Sequence, residues 1–379
     1  MEVPSLEEVY REIESLKSVG VTIEEIGRSG EDRPIYALRL GRGPARVAVV
    51  CGQHGNEPAP IIASLRALRT LASLGRDLDL FTMLVIPLAN PDGFSKLRRC
   101  LEECHAPDWR CECIDARLTS SGIDMNREWL TLRTPENRCI HRALTEFEPH
   151  TVLDLHEFYA VGGAPPRWAH ETEGFDAYVT DAPYLGVSPE IMNISARLAE
   201  IARRAVESST GLKTRIRRPC SPPCAVPPIY LGSHFPLEGC AKVLVETWGV
   251  GLGSFMLYER VEAHTEVILQ IVDYVTRNID RIDRAKRIDA DYDRVVGSHY
   301  GSKYVVRGRD VEEAHRVLSA HRIDARLVNG VLEVRMPSPS SRIALAMLEP
   351  EYELTRELEA IGRSVKLDRL LNVGIERVG

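Results

Sequence analysis

The stretch from Val47 to Pro58, V-A-V-V-C-G-Q-H-G-N-E-P, constrains this chain more than any other. It opens as a short apolar, β-branched run, the composition of a strand covered on both faces. It then breaks at Gly52 and Gly55 and presents His54 and Glu57. Three later segments are built the same way. Phe81–Leu88 ends in Ala89-Asn90-Pro91-Asp92-Gly93, Thr151–Leu155 runs into His156-Glu157, and Lys242–Val245 runs into Glu246-Thr247. Helical patterns between these runs predict an α/β fold, a mixed, mostly parallel sheet flanked by helices. Ligands of such sheets bind at the carboxyl ends of the strands, where all four runs deliver polar residues.

His54 and Glu57 can reach one metal ion if the turn after the strand folds them inward. Zinc accepts both donor types and in catalytic sites takes three protein ligands, so the pattern asks for a third. His156 fills that place, and Glu246 falls beside it. A single histidine at a strand end is usually a satisfied core residue, but three ligand-type side chains at matched strand ends point to one zinc per chain. Glu246 then reads as the general base and acid, taking a proton from water and handing it to a leaving amine. Glu157 competes for this role by proximity, but strand neighbours face opposite ways, so it should point away from the metal.

Five motifs in order carry a resemblance. They are His54-x-x-Glu57 after a strand, Asn90-Pro91-Asp92-Gly93, Asp124-Met125-Asn126-Arg127, the strand-end His156 and the strand-end Glu246. Together they resemble the zinc metallocarboxypeptidases of the carboxypeptidase A-like family, over roughly Leu6 to Ile282. The run Ile26-Gly27-Arg28-Ser29-Gly30, followed by Asp32-Arg33-Pro34-Ile35-Tyr36, is similar to that family's opening strands. The H-G-N-E and D-L-H forms also resemble the succinylglutamate desuccinylase and aspartoacylase branch, which cleaves N-acyl amino acids.

The resemblance implies further roles. Asn126 and Arg127 would clamp the substrate's free carboxylate, for which a planar guanidinium is suited. Asp124 would accept a hydrogen bond from His54 and fix its tautomer. Arg110 falls where the family places an oxyanion-stabilising arginine, with Arg98 and Arg99 as competitors. Tyr230 stands nearest to the family's mobile tyrosine, although its surroundings depart from the family pattern. The expected activity is release of C-terminal amino acids from peptides. The alternatives are an N-acyl-amino-acid amidohydrolase and an inactive zinc-containing binding protein. The preferred side chain and the oligomeric state are left open.

With 379 residues, the chain has room for a large domain and a small one. A catalytic domain over 1–285 and a small α+β domain over 297–379 are expected, the latter reading as a packing or assembly module. Between them, Ala285–Val296 reads as a charged, helical linker. A formal net charge of −7 argues against generic nucleic-acid binding. No apolar stretch is long enough for a membrane span, and no signal-peptide pattern is seen, so the expected location is the cytoplasm. Cys100, Cys104, Cys111 and Cys113 cluster in one region, open to a structural metal, disulfides or buried thiols. Cys220 and Cys224 could pair with each other or with that cluster.

Overall fold

A computed structural model describes residues 1–73, 78–104, 111–159, 174–218, 220–300 and 303–378. Eight strands form the main sheet: β1 (Thr22–Arg28), β2 (Pro34–Gly41), β3 (Ala45–Val50), β4 (Phe81–Ile86), β5 (Thr151–Phe158), β6 (Ala177–Thr180), β7 (Thr214–Ile216) and β8 (Ala241–Trp248). Their order is β1-β2-β4-β3-β5-β8-β6-β7. The four central strands β4, β3, β5 and β8 are parallel, while β2 and β6 join them antiparallel. This is the mixed, mostly parallel sheet that the apolar runs predict.

Burial on both faces explains those runs. Val47 and Val49 of β3 pack into the core beneath α2 (Pro58–Ser73), α6 (Pro189–Thr210) and α8 (Leu257–Arg277). Ala48 and Val50 turn to the opposite core, which includes Ile140 and Leu144 of α5 (Pro135–Phe147) and the buried Trp129. A polar residue buried in these strands needs a partner, as Lys242 near the start of β8 has in Thr180 Oγ1.

Several elements differ from expectation. Gly93–Gly122 shows no clear periodicity in sequence, yet its first part belongs to α3 (Pro91–Glu103). Only Phe94 and Leu97 supply a buried stripe beyond its first turn, and the helix starts on local chemistry instead. Asn90 accepts from the Gly93 N–H and Pro91 takes the first turn, so N-P-D-G is a helix cap. The Gly-, Pro- and aromatic-rich composition of 161–186 predicts a surface loop over the site, yet its described part contains β6, too short to show a period of its own. The sequence over Val261–Ile282 predicts one long helix, but the helix breaks at Asn278, whose side-chain Nδ2 donates to the Tyr274 carbonyl. Beyond the break, α9 (Ile279–His299) contains the residues read as a linker.

The C-terminal unit comprises β9 (Lys303–Gly308), α10 (Val311–Ala320), β10 (Ala325–Val328), β11 (Val331–Arg335), α11 (Ser341–Leu348), α12 (Glu353–Ala360), α13 (Leu367–Leu370) and β12 (Val373–Val378). Its antiparallel sheet runs β10-β11-β9-β12; Asn329-Gly330 between alternating runs predicts a hairpin, and it turns β10 into β11. The sequence predicts a strand at Lys303–Arg307, a helix at Val311–Arg322, this hairpin and a last helix over Tyr352–Ile361, but not α11, α13 or β12. The unit is not tethered loosely. Arg342 of α11 is buried and donates to Asp289 and Asp293 of α9, and its Nη1 also donates to the Gly186 carbonyl. Charges that looked like a solvated linker are thus a buried ion-paired seam.

The clustered cysteines are joined as Cys100–Cys113 and Cys104–Cys111, and Cys220 is bonded to Cys224. These pairings take up all four sulfurs of the cluster and leave none to hold a metal. Cross-linking restricts the unfolded chain and pins a region with little regular structure.

Asp92 ties the first turn of α3 to the β1–β2 turn. Its carboxylate accepts from Ser29 Oγ, the Glu31 N–H and Arg33 Nη1, at 2.5, 2.9 and 2.8 Å. Burial opposes its charged form, but these donors outweigh it and hold the pKa below the ordinary carboxylate range. A lowered folded-state pKa stabilises above the unfolded value and is lost as pH falls through the folded one. Asp92→Asn should therefore cost about 1–3 kcal/mol at neutral pH, the typical range for a buried charged hydrogen bond. Urea titrations at neutral pH and in acid would check this, with the gap between variant and native protein closing as pH drops.

Candidate active site

The site is built on the register of three adjacent strands. His156 of β5 is the pairing partner of Glu246 of β8, and Glu246 is the partner of Tyr178 of β6. Paired residues of neighbouring strands point to the same face of a sheet. His156, Glu246 and Tyr178 therefore form one row across the carboxyl edge of β5 and β8. The β3–α2 turn folds over this row and brings His54 and Glu57 to it. The His54 and His156 ring centroids lie 4.9 Å apart.

The Glu57 carboxylate sits between two imidazoles. Its Oε1 is 2.7 Å from His54 Nδ1 and its Oε2 is 2.8 Å from His156 Nδ1. The outer nitrogens have acceptors of their own: His54 Nε2 is 3.1 Å from Asp124 Oδ1, and His156 Nε2 is 2.8 Å from Asp154 Oδ1. These outer carboxylates favour the proton on each Nε2, which leaves both Nδ1 lone pairs aimed at Glu57. Two lone pairs and a carboxylate, all buried, then converge on one point. Such a set is stable only with a cation between its members or protons added to the rings. The donor set is the nitrogen and oxygen chemistry zinc accepts, with three protein ligands and room for a fourth.

Electrostatics agree with the geometry. Burial opposes ionisation of Glu57, yet the facing His54 and His156 hold its pKa far below the carboxylate range. Burial likewise opposes a charged His156, but Asp154 and Glu57 hold its pKa well above the usual histidine value. Glu246 behaves differently. Its burial raises the pKa, and neither metal-site imidazole fully offsets this. The Tyr178 hydroxyl donates a hydrogen bond to it.

The other residues singled out in sequence distribute as follows. Asp124 stands at His54 Nε2. Arg127, with its side chain 41% exposed, stacks its guanidinium over the Tyr230 ring at 4.5 Å. Asn126 is buried: its Oδ1 accepts from the Leu231 N–H, and its Nδ2 lies 3.2 Å from His156 Nε2. Glu157 points to the other face, accepting from Arg260 Nη1 at 2.7 Å and from the Ala59 N–H at 3.0 Å. Arg110 lies outside the described residues. His54, Glu57, Asn126, Arg127, His156, Tyr178, Tyr230 and Glu246 line one cavity of about 1110 Å³.

Three contributors have no counterpart in the sequence reading. Arg117 of α4 (Ile114–Arg117) donates to Glu57 Oε1 at 3.4 Å and to Asp124 Oδ2 at 3.1 Å. Asp154 shares the face of His156 at a spacing of two, a signal present in the D-L-H motif. Tyr178 has no such signal, because β6 is too short to announce itself.

Comparison with known proteins follows the same chemistry. The family model described as zinc carboxypeptidase matches residues 6–152. A carboxypeptidase 2 of Trichophyton tonsurans is 23% identical over 351 residues, covering 86% of this chain and 60% of that protein. A probable carboxypeptidase 2 of Trichophyton verrucosum is 31% identical over 157 residues, 40% of this chain and 27% of that protein. The chain thus spans about 60% of the length of the first of these relatives. Among solved structures, a Pseudomonas aeruginosa metallo-carboxypeptidase bound to (2-guanidinoethylmercapto)succinic acid superposes with a TM-score of 0.53 at 18% identity. It covers 73% of this chain and 69% of that one. Bovine thrombin-activatable fibrinolysis inhibitor, bound to tick carboxypeptidase inhibitor, gives 0.54 at 15% identity, over 73% and 98%. At these identities the structures establish the zinc carboxypeptidase fold.

Removing a ligand should remove the metal. His54→Ala and His156→Ala should each lose about one zinc per chain, measured by mass spectrometry of the purified protein, and Glu57→Gln should weaken metal affinity. Retention of native metal content by both histidine variants would mean the site is misplaced.

Proposed function

We propose that the chain is a zinc-dependent metallocarboxypeptidase that releases C-terminal amino acids from peptides. The observation that carries this reading is the strand register that sets Glu246 beside His156, in a cavity also lined by Arg127 and Tyr230. A zinc ion held by His54, Glu57 and His156 would polarise the scissile carbonyl and make water acidic enough to react at neutral pH. The chain's own residues do the rest. Glu246 accepts the proton from water and delivers it to the leaving amine. Burial raises its pKa, which suits a group that must hold that proton between the two steps. The hydrogen bond from Tyr178 fixes which way the carboxylate faces. Arg127 presents a half-exposed guanidinium, kept in place by Tyr230 and by its own bond to the Asn126 carbonyl, for the substrate's terminal carboxylate. Arg117 and Asp124 hold Glu57 and His54 in their orientations. The volume of the cavity suits a peptide end.

Among the described residues, no helix is long and apolar enough to cross a membrane. Three disulfides persist in an oxidising compartment or inside a hyperthermophile; the cytoplasmic location expected from the sequence agrees only with the second.

Substrate recognition is checked by Arg127→Ala. The variant should lose a few kcal/mol of transition-state binding, on the order of a charge-assisted bidentate contact. Amidation of the substrate's C-terminus should cost the native enzyme about as much and the variant little more. Equal kcat/KM of native enzyme for amidated and free peptides would refute the clamp.

Proton transfer is checked by Glu246→Gln, which keeps size and zinc but cannot accept a proton. Its kcat should fall by ~10²–10⁴-fold or beyond, because one group serves both halves of the reaction. Glu157→Gln should act on stability, since it breaks a buried pair with Arg260. Near-native turnover by the Glu246 variant in a steady-state assay would transfer the role elsewhere.

A further inference from the structure

Beneath the cavity, on the far side of α7 (Leu231–His234), four side chains from distant parts of the chain meet. His141 comes from α5, His234 ends α7, Glu238 closes the following turn, and His321 follows α10 in the C-terminal unit. Each offers one ligand-type atom, and these atoms all lie within 4.8 Å of one another. The ring centroids of His321 lie 4.8 Å from both His141 and His234. All three histidines are buried, His234 and His321 completely.

What these rings lack is hydrogen bonds. His141 Nε2, both nitrogens of His234 and His321 Nδ1 have no partner. His234 Nε2 approaches Glu238 Oε1 only to 3.5 Å. Buried imidazole nitrogens are normally satisfied, and four unsatisfied ones on three rings that meet at one place need an explanation. The outer atoms supply one. His321 Nε2 lies 2.7 Å from the Leu130 carbonyl, to which it must donate, so its Nδ1 is a bare lone pair. His141 Nδ1 lies 3.4 Å from Thr145 Oγ1, with its Nε2 turned inward. A backbone carbonyl or hydroxyl on the outer nitrogen is how metal-bound histidines are held in tautomer and orientation.

We propose that His141, His234, Glu238 and His321 form a second, closed metal site that takes zinc. Three imidazole nitrogens and one carboxylate oxygen satisfy a tetrahedral ion completely and leave no position for water or substrate, which makes the site structural. The donors need only a small inward movement, since tetrahedral zinc holds such atoms roughly 3.4 Å apart at bonds of about 2.0–2.1 Å. Glu238 reaches a surface cleft and His141 another, which gives the ion a way in. The site would pin the C-terminal unit to α5 and fix α7, whose preceding residue Tyr230 and whose Ser233 line the catalytic cavity. A second zinc thus explains why the C-terminal unit is docked at this place.

Metal content of the full-length protein tests the proposal. Native protein should carry about two zinc ions per chain, His54→Ala about one, and His54→Ala combined with Glu238→Gln fewer still. Metal-depleted His54→Ala protein should bind one equivalent of cobalt with the intense visible absorption of a tetrahedral nitrogen–oxygen site. Glu238→Gln, at the partly exposed rim, should weaken that cobalt binding at least tenfold, and His321→Ala should abolish it. If His321→Ala fails to fold, the Glu238 variant and the thermal midpoint decide: zinc should raise the midpoint of depleted His54→Ala protein and not that of its Glu238→Gln form. A native protein with one zinc, which His54→Ala abolishes while the folded variant binds no cobalt, would overturn the second site and leave the catalytic reading intact. Two zinc ions retained in His54→Ala would instead contradict the catalytic ligand assignment.

Discussion

The register between β5 and β8 is the constraint on which the active-site geometry depends. Both strands are parallel and buried, so a one-residue slip would send every side chain to the opposite face. In the observed register His156 and Glu246 are paired, and the same pairing continues to Tyr178 on β6. A slip of β8 would exchange Glu246 for Thr247, and a slip of β5 would instead exchange His156 for Glu157. Apolar packing holds the register, because Val243 and Val245 sit in the core, while the alternate residues Leu244 and Glu246 line the cavity on the other face. Core packing far from the cavity thereby decides which carboxylate stands beside His156.

Much of this was legible because its signals are local. The strand runs and their carboxyl-end histidines and acids each occupy a few consecutive residues. The opposite aims of His156 and Glu157 follow from strand period alone, and Arg260 beside Glu157 shows where the second one goes. What stayed hidden has a nonlocal cause. Arg117 reaches Glu57 from a short helix set by two disulfides, and no spacing rule connects the two. Tyr178 sits on a four-residue strand whose pattern is too brief to read. Asp289 and Asp293 look like solvated charges until Arg342 is placed between them, and His141, His234 and His321 look like separate core residues until α10 docks.

Asn126 shows how a resemblance and a structure can divide a motif. The resemblance couples it with Arg127 at the substrate carboxylate. In this chain its Oδ1 accepts from the Leu231 N–H, and its Nδ2 lies against the outer nitrogen of His156, 3.2 Å away. It links the α7 segment to the metal-site imidazole, while Arg127 remains half-exposed beside Tyr230. Gln53 extends the same network, donating to Asp154 and accepting from Trp129 Nε1. The pocket wall and the metal ligands therefore share one buried polar lattice, in which loss of one partner leaves another unsatisfied.

The central claim is that His54, Glu57 and His156 hold zinc while Glu246 stands beside it without binding. Anomalous diffraction from crystals of the zinc-loaded protein, recorded on both sides of the zinc edge, tests it most directly. The account predicts a peak about 2.0–2.2 Å from His54 Nδ1, His156 Nδ1 and a Glu57 oxygen, with the Glu246 carboxylate outside bonding distance. A peak ligated by Glu246, or one that leaves out His54 or His156, would contradict it.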